Sequence, residues 1–300
     1  MDPGQFLTSC RLVIVAGKGG VGKTTVTATL ARAAVNHGRS VMIAEVEGRS
    51  GLAAMFGGPA FGYDEVTLFE LGSLSIRART ITPDRALAEY LDDHGLRRIS
   101  GRLIRSGALD VVATAAPGID DILVLGKVKQ IERLATSDVI LLDAPAAGHA
   151  ITFLTAARGL LDAVRVGPIN NQARDVIELL TDPARCQVML VTMPEETPVN
   201  ELIDTAYALE DEVGVALGPV VVNGVLPDVP DLDSAIGRAR GSAAEAARFR
   251  LNRLALQREQ IARLRDALPL PQIHLPQLFT TALGRTELET LASAFTSVTS

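Results

Sequence analysis

Cysteine, lysine and long apolar runs are all scarce in these 300 residues. Only Cys10 and Cys186 are present, far apart in sequence, so neither a C-x-x-C pair nor a disulfide framework is offered. Two reduced thiols are the pattern of a cytosolic protein. No segment reaches the roughly 18 uninterrupted apolar residues that a spanning helix needs. The apolar run nearest the N-terminus, Leu12 to Ala16, is too short for a signal peptide. A cytoplasmic protein without a membrane span is therefore expected. Positive charge is not in excess either: 29 basic against 35 acidic side chains leave a net charge of −6, which argues against sequence-independent binding to bare nucleic acid.

Lysine is the most informative shortage, because Lys18, Lys23, Lys127 and Lys129 are the only four and every other cation is arginine. Two of them fall in Gly17-Lys18-Gly19-Gly20-Val21-Gly22-Lys23-Thr24-Thr25, which fits the phosphate-loop pattern G-x-x-x-x-G-K-[ST] and follows the apolar run Leu12 to Ala16. Strand before and helix after is the context such a loop needs. Its glycines let successive backbone N–H groups converge on a phosphate, and the N-terminus of the next helix adds partial positive charge. Lys23 is expected to bridge the β- and γ-phosphates of ATP, and the Thr24 hydroxyl to take one position on Mg²⁺. Lys18 is extra. A lysine directly after the first glycine resembles the deviant loop of dimeric P-loop ATPases, in which that lysine crosses the interface to the partner's nucleotide; otherwise it is a surface lysine that merely favours anions.

The composition, 47% hydrophobic and 21% charged, is that of a globular chain, and its length suits one large α/β domain spanning 1–300 with an insertion. Thr25 to Val35 reads as a helix ended by His37-Gly38, and Val41 to Val46 as the next strand, a right-handed parallel crossover. Ligands in such sheets bind beyond the carboxyl ends of the strands, so Glu47 is delivered towards the phosphates. From about Gly57 to Leu134 the strand–helix alternation lapses. Pro83 to His94, with Thr82 as its cap, Ala108 to Ala115 and Ile119 to Leu134 read as helices, either an inserted helical subdomain, 57–134, or helices covering one sheet face. Val139 to Asp143, Gln187 to Thr192, Pro219 to Val222 and Gln272 to Leu275 read as further strands, and Pro198 to Val213 and Thr286 to Phe295 as helices. Ser234 to Leu268 is an arginine-rich helical stretch or pair. Glu245, Glu259 and Asp266 interrupt its arginines and Phe249 is its only aromatic, which favours a solvated face over a nucleic-acid surface. Asp143, a carboxylate at a strand's end in a sheet with a P-loop, is the expected holder of Mg²⁺ through water, and Gly148 offers an N–H to a γ-phosphate.

Gly17 to Thr25, Glu45-Val46-Glu47-Gly48, Pro117-Gly118-Ile119-Asp120-Asp121, Asp143 to His149 with Phe153-Leu154, and Val222-Asn223 together resemble the arsenite-pump and tail-anchored-protein-targeting (anion-transporting) ATPase family. The likeness is greatest to its bacterial, actinobacterial-type members, and it runs from about Arg11 to Leu291. It implies a three-layer P-loop NTPase with a mostly parallel sheet and an inserted helical subdomain, working as an ATP-dependent dimer. Glu47 falls where that family has the switch carboxylate that acts on the attacking water, but there the family has Asp followed by Pro-Ala-His. Asp143 falls on the magnesium-site aspartate, Gly148-His149 on the second switch, and Asn223 on the adenine-contacting asparagine, which is otherwise a turn former after a strand. Pro276-Gln277-Leu278 falls on the adenine-side loop. Two isolated cysteines supply neither a metalloid site nor a shared zinc, nor can they hold an iron–sulfur cluster.

The expected function is a Mg²⁺-dependent ATPase that switches a dimer, with itself or with a paralogous chain, and its helical subdomain on an unidentified protein cargo. The alternatives are a weakly hydrolysing regulatory subunit that pairs with a paralogue, and a partition-type ATPase acting on DNA or membrane. Net charge and the lack of a clear amphipathic C-terminal anchor disfavour the last.

Overall fold

The computed structural model describes residues 6, 9–46, 51–93, 95, 118–145, 147–163, 165, 168–232 and 240–296. Eight strands form one sheet: β1 (Leu12–Gly17), β2 (Val41–Val46), β3 (Val66–Leu71), β4 (Leu74–Ile81), β5 (Val139–Asp143), β6 (Cys186–Thr192), β7 (Val220–Val225) and β8 (Gln272–Pro276). Their spatial order is β3-β4-β2-β5-β1-β6-β7-β8. All neighbours are parallel except β3 and β4.

The central strands are apolar along their whole length because both faces are covered. Leu12, Ile14, Met42 and Leu142 join one core cluster, while Val13, Val15, Ile43 and Leu141 join the other, as the two-residue period of a strand requires. Helices α1 (Lys23–Asn36) and α9 (Arg285–Thr296) pack together and fill the second face. The first face is covered by α4 (Ile119–Leu134), α5 (Ala147–Ala163), α6 (Pro168–Thr181) and α7 (Glu196–Ala208). Among the described residues the remaining helices are α2 (Leu52–Met55), α3 (Pro83–Asp93), which packs on α4, α8 (Ser242–Ala267), which packs on α7, and a single π-helical turn, Leu209–Val213, that continues α7. None is long and apolar enough to cross a membrane.

The expectation of helix from Gly57 onward fails between Val66 and Ile81. Here two strands meet across the two-residue turn Gly72-Ser73, with Leu71 opposite Leu74 and Gly72 at φ 60°. The charged residues Glu70, Arg77 and Arg79 break the apolar run, so the stretch lacks the continuous hydrophobicity of the central strands. It is an edge hairpin, and β4 extends the parallel sheet beside β2. Helices α5 and α6, not anticipated from the sequence, cover the sheet between β5 and β6. The helix expected at Ala108–Ala115 lies outside the described residues. The arginine-rich stretch is a single helix from Ser242, and its side chains bond within the chain: Arg253 to Glu195 at 2.9 Å, Arg258 to Asp228 at 2.6 Å and Arg250 to the Pro227 carbonyl at 2.9 Å.

Leu142 is fully buried on the middle strand β5. Leu142→Ala is expected to lower unfolding stability by about 2–5 kcal/mol, the range for a cavity in a packed core. Urea denaturation followed by circular dichroism measures it, and a loss under about 1 kcal/mol would mean that this layer repacks freely.

Candidate nucleotide site

Because β1 lies mid-sheet, with β5 on one side and β6 on the other, its carboxyl end opens into the crevice where such sheets take ligands. Gly17 closes the strand opposite Val191 of β6, and a Cβ there would overlap the Val191 carbonyl, so only glycine keeps the two strands paired as the chain turns away. Gly22 ends the loop at φ 90° as the N-cap of α1. That helix has no side-chain cap and no acidic residue in its first turn. Its first N–H groups and the positive end of its dipole are thus left for an anion. The Lys23 Nζ donates to the Lys18 carbonyl at 3.3 Å, which folds the side chain over the loop. Burial lowers the Lys23 pKa, and nearby Asp143 opposes that shift. Gly19 and Gly20 complete the exposed tip between them.

Asp143 ends β5 and stands beside Val15 of β1 and Glu45 of β2 in the sheet register. The Thr24 hydroxyl donates to its Oδ2 at 2.6 Å and the Thr27 hydroxyl lies 3.5 Å from Oδ1. Burial pushes the Asp143 carboxyl up to about 6; the Thr24 bond and the Lys23 charge oppose this, and Glu45 adds to it. A hydroxyl and a buried carboxylate this close are hard oxygen donors of the kind that Mg²⁺ takes, so Thr24 and Asp143 fit that ion.

On the other side of the loop, Asn223 of β7 donates from Nδ2 to the Val21 carbonyl at 2.9 Å. The space for this amide exists because Gly22 has no Cβ, which would overlap Asn223 Nδ2. Beside it is a cavity of about 270 Å³ lined by Gly20, Val21, Thr25, Asn223 and by Pro276, Gln277 and Leu278. The last three are brought in by β8, and the Gln277 N–H is bonded to the Val225 carbonyl at 2.8 Å. Residues more than 250 positions apart in the sequence therefore share one wall. Met193, just past β6, also lines it. Sequence reasoning missed this methionine, although its place after a strand's carboxyl end is a usable signal.

Two further acids were missed. Glu45, buried next to Asp143, sits one strand over at the same level; the pairing of two strand-end carboxylates was the available clue. Glu201 of α7 forms an ion pair with Lys18, and both side chains are about 40% exposed, at 39% and 41%. Nothing in the sequence announces that contact across 183 positions. Glu47 lies outside the described residues, and Gly148 falls in the first turn of α5.

The chain is similar in sequence to known ATPases. The anion-transporting ATPase family profile matches residues 10–165. ATPase BagA of Mycobacterium tuberculosis is 35% identical over 230 residues, which is 74% of this chain and 67% of that protein. ATPase get3 of Schizosaccharomyces japonicus is 30% identical over 173 residues, 55% of this chain and 52% of the relative. The same-named protein of Schizosaccharomyces pombe is 30% identical over 179 residues, 57% and 53%.

Gly22→Ala places a methyl group on the Asn223 amide and forces a left-handed backbone onto alanine. ATP affinity is expected to fall by at least about tenfold with the fold retained. Isothermal titration with ATP, alongside circular dichroism, checks both; unchanged affinity would show that the loop holds its shape without this glycine.

Proposed function

As a member of the anion-transporting ATPase family, to which this chain belongs, the protein hydrolyses ATP, and we propose that it does so as a Mg²⁺-dependent switch formed by two paired P-loop chains. The observation that supports pairing is the position of Lys18. A P-loop meets its phosphates with backbone N–H groups and with Lys23, and neither task needs a second lysine. In the single chain the Lys18 ammonium is held by Glu201 and not by the loop that carries it. A half-exposed pair of this kind is worth little in water and is readily exchanged. On pairing, Lys18 leaves Glu201 and places its charge at the partner's nucleotide, where negative charge grows in the transition state.

The other parts divide the work. Lys23 and the amides of Gly19 to Thr25 would hold the β- and γ-phosphates, and Thr24 and Asp143 would hold Mg²⁺. The metal ion supplies neutralisation of phosphate charge. Glu47 orients or deprotonates the attacking water, Gly148 registers the γ-phosphate, and Asn223 with Pro276, Gln277 and Leu278 holds the base. The helices of the 57–134 region carry the nucleotide state to a protein cargo. The simplest partner is a second copy of this chain; a paralogous chain is the alternative that the assays below distinguish.

Lys18→Ala is expected to bind ATP as the wild type does and to lose hydrolysis, and Lys18→Arg to restore little, because a planar fork does not replace a compact charge in a tight site. Steady-state turnover over a protein-concentration series checks the pairing. Activity per chain that is constant down to a demonstrated monomer, with Lys18→Ala still active, would rule it out, whereas turnover seen only after a paralogous chain is added would make that chain the partner. Glu47→Gln is expected to keep ATP affinity while turnover falls by roughly a hundredfold or more, the scale of a lost general base. Unchanged turnover would leave Glu47 without a catalytic role.

A further inference from the structure

Lys127 and Lys129, the two lysines that the nucleotide site does not use, both line one cavity. It measures about 260 Å³ and lies between α3, α4 and α6, sharing no residue with the nucleotide cavity. Lys127, Lys129 and Arg133 contribute three cations to its wall, Tyr90, Gln130 and Gln172 contribute polar groups, and among the described residues no carboxylate lines it. Leu123 is among the apolar residues that make up the rest. In a chain of net charge −6, three cations thus surround one partly apolar hollow.

Both lysine side chains are largely buried, 9% and 8% exposed, yet each ammonium meets a carboxylate on a neighbouring helix that is far more exposed. Lys127 pairs with Glu89 of α3, and also reaches Gln130 at 2.8 Å; Lys129 pairs with Asp175 of α6 at 2.6 Å. Each carboxylate has a second cation close by: Glu89 lies 3.9 Å from Arg79, and Asp175 lies 3.9 Å from Arg133. An incoming carboxylate can therefore take over an ammonium without stranding the acid it displaces, which is the condition for exchange of a buried ion pair. The floor is adapted as well. Gly126, in the middle of α4 where glycine weakens a helix, lets Gln172 of α6 lie flat against it; a Cβ there would overlap the Gln172 amide. Helix-to-helix ion pairs alone need neither a hollow between them nor a glycine beneath it.

We propose that this cavity is a binding site for a small organic carboxylate with an apolar body, its head met by Lys127 and Lys129, its tail against Leu123, and Arg133 at the mouth. A carboxylate is favoured over a bare inorganic anion because the two ammonium groups already meet carboxylates and because much of the wall is apolar. The cavity is small, near the lower end of ligand sites, and so suits a short-chain acid.

Titration calorimetry of the full chain with sodium hexanoate and sodium phenylacetate tests this, with acetate and inorganic phosphate as bare anions and 1-hexanol as the uncharged control. Hexanoate or phenylacetate is expected to bind saturably, one per chain, with Kd below about 1 mM, and the three controls at least about tenfold more weakly. Lys127→Met and Arg133→Glu are each expected to weaken that binding by about tenfold or more while ATP affinity stays unchanged. Arg133 is 59% exposed, so its replacement decides the matter if Lys127→Met does not fold. The site is overturned if neither acid binds saturably to the wild type, or if binding survives both substitutions. Phosphate binding as tightly as hexanoate would overturn the carboxylate assignment, and hexanol binding equally well would overturn the role of the lysines.

Discussion

The uncapped N-terminus of α1 is the constraint from which the rest of the site follows. A helix that begins on a left-handed glycine, with no capping side chain and no acid in its first turn, leaves N–H groups and a positive dipole end that suit an anion. To aim those groups the chain must turn sharply out of β1, and the strand must sit mid-sheet so that loops from both sides converge on it. Gly17 is pressed against Val191 on one flank and Gly22 against Asn223 on the other. The buried Asp143 completes the arrangement. Bonded to Thr24 and raised in pKa by burial, it is a carboxylate placed where positive charge is to be bound.

Much of this was legible in the sequence because it is local. The loop, its strand and its helix are contiguous, and Val139 to Asp143 announces both a buried strand and an acid at its end. Asn223 and Pro276 to Leu278 were placed through family resemblance, and the cavity beside the loop brings them together with Gly20, Val21 and Thr25. What periodicity did not deliver has identifiable causes. The β3–β4 hairpin reads in the sequence as part of a helical region because edge strands are half-polar and lack the apolar run of a central strand. Helix α5 is apolar over most of its length, which leaves its helical period faint. The Lys18–Glu201 pair joins residues 183 positions apart through tertiary packing, which no local pattern encodes.

The lysine distribution connects the two halves of the molecule. Arginine serves as the cation elsewhere, including the pairs that fix α8 to its neighbouring loops. Lysine is kept for Lys18 and Lys23 at the phosphate loop and for Lys127 and Lys129 around the hollow between α3, α4 and α6. In both places the cation is a compact charge on a flexible stem rather than a planar fork. Lys18 illustrates the point: its partner in the single chain is Glu201, and the pairing proposed above would hand its charge to a neighbour's nucleotide.

Whether that lysine acts across an interface is decided most directly by mixing two inactive variants, Lys18→Ala and Lys23→Ala. In a mixed pair the Lys18→Ala chain keeps its own Lys23 and receives Lys18 from its partner, so one complete site is assembled. Action in trans predicts that equimolar mixing restores ATP turnover to roughly a quarter of the wild-type value per chain, since half the pairs are mixed and each holds one working site. A mixture as inactive as either variant alone, from a wild-type chain that is itself active and pairs with its own kind, would contradict it.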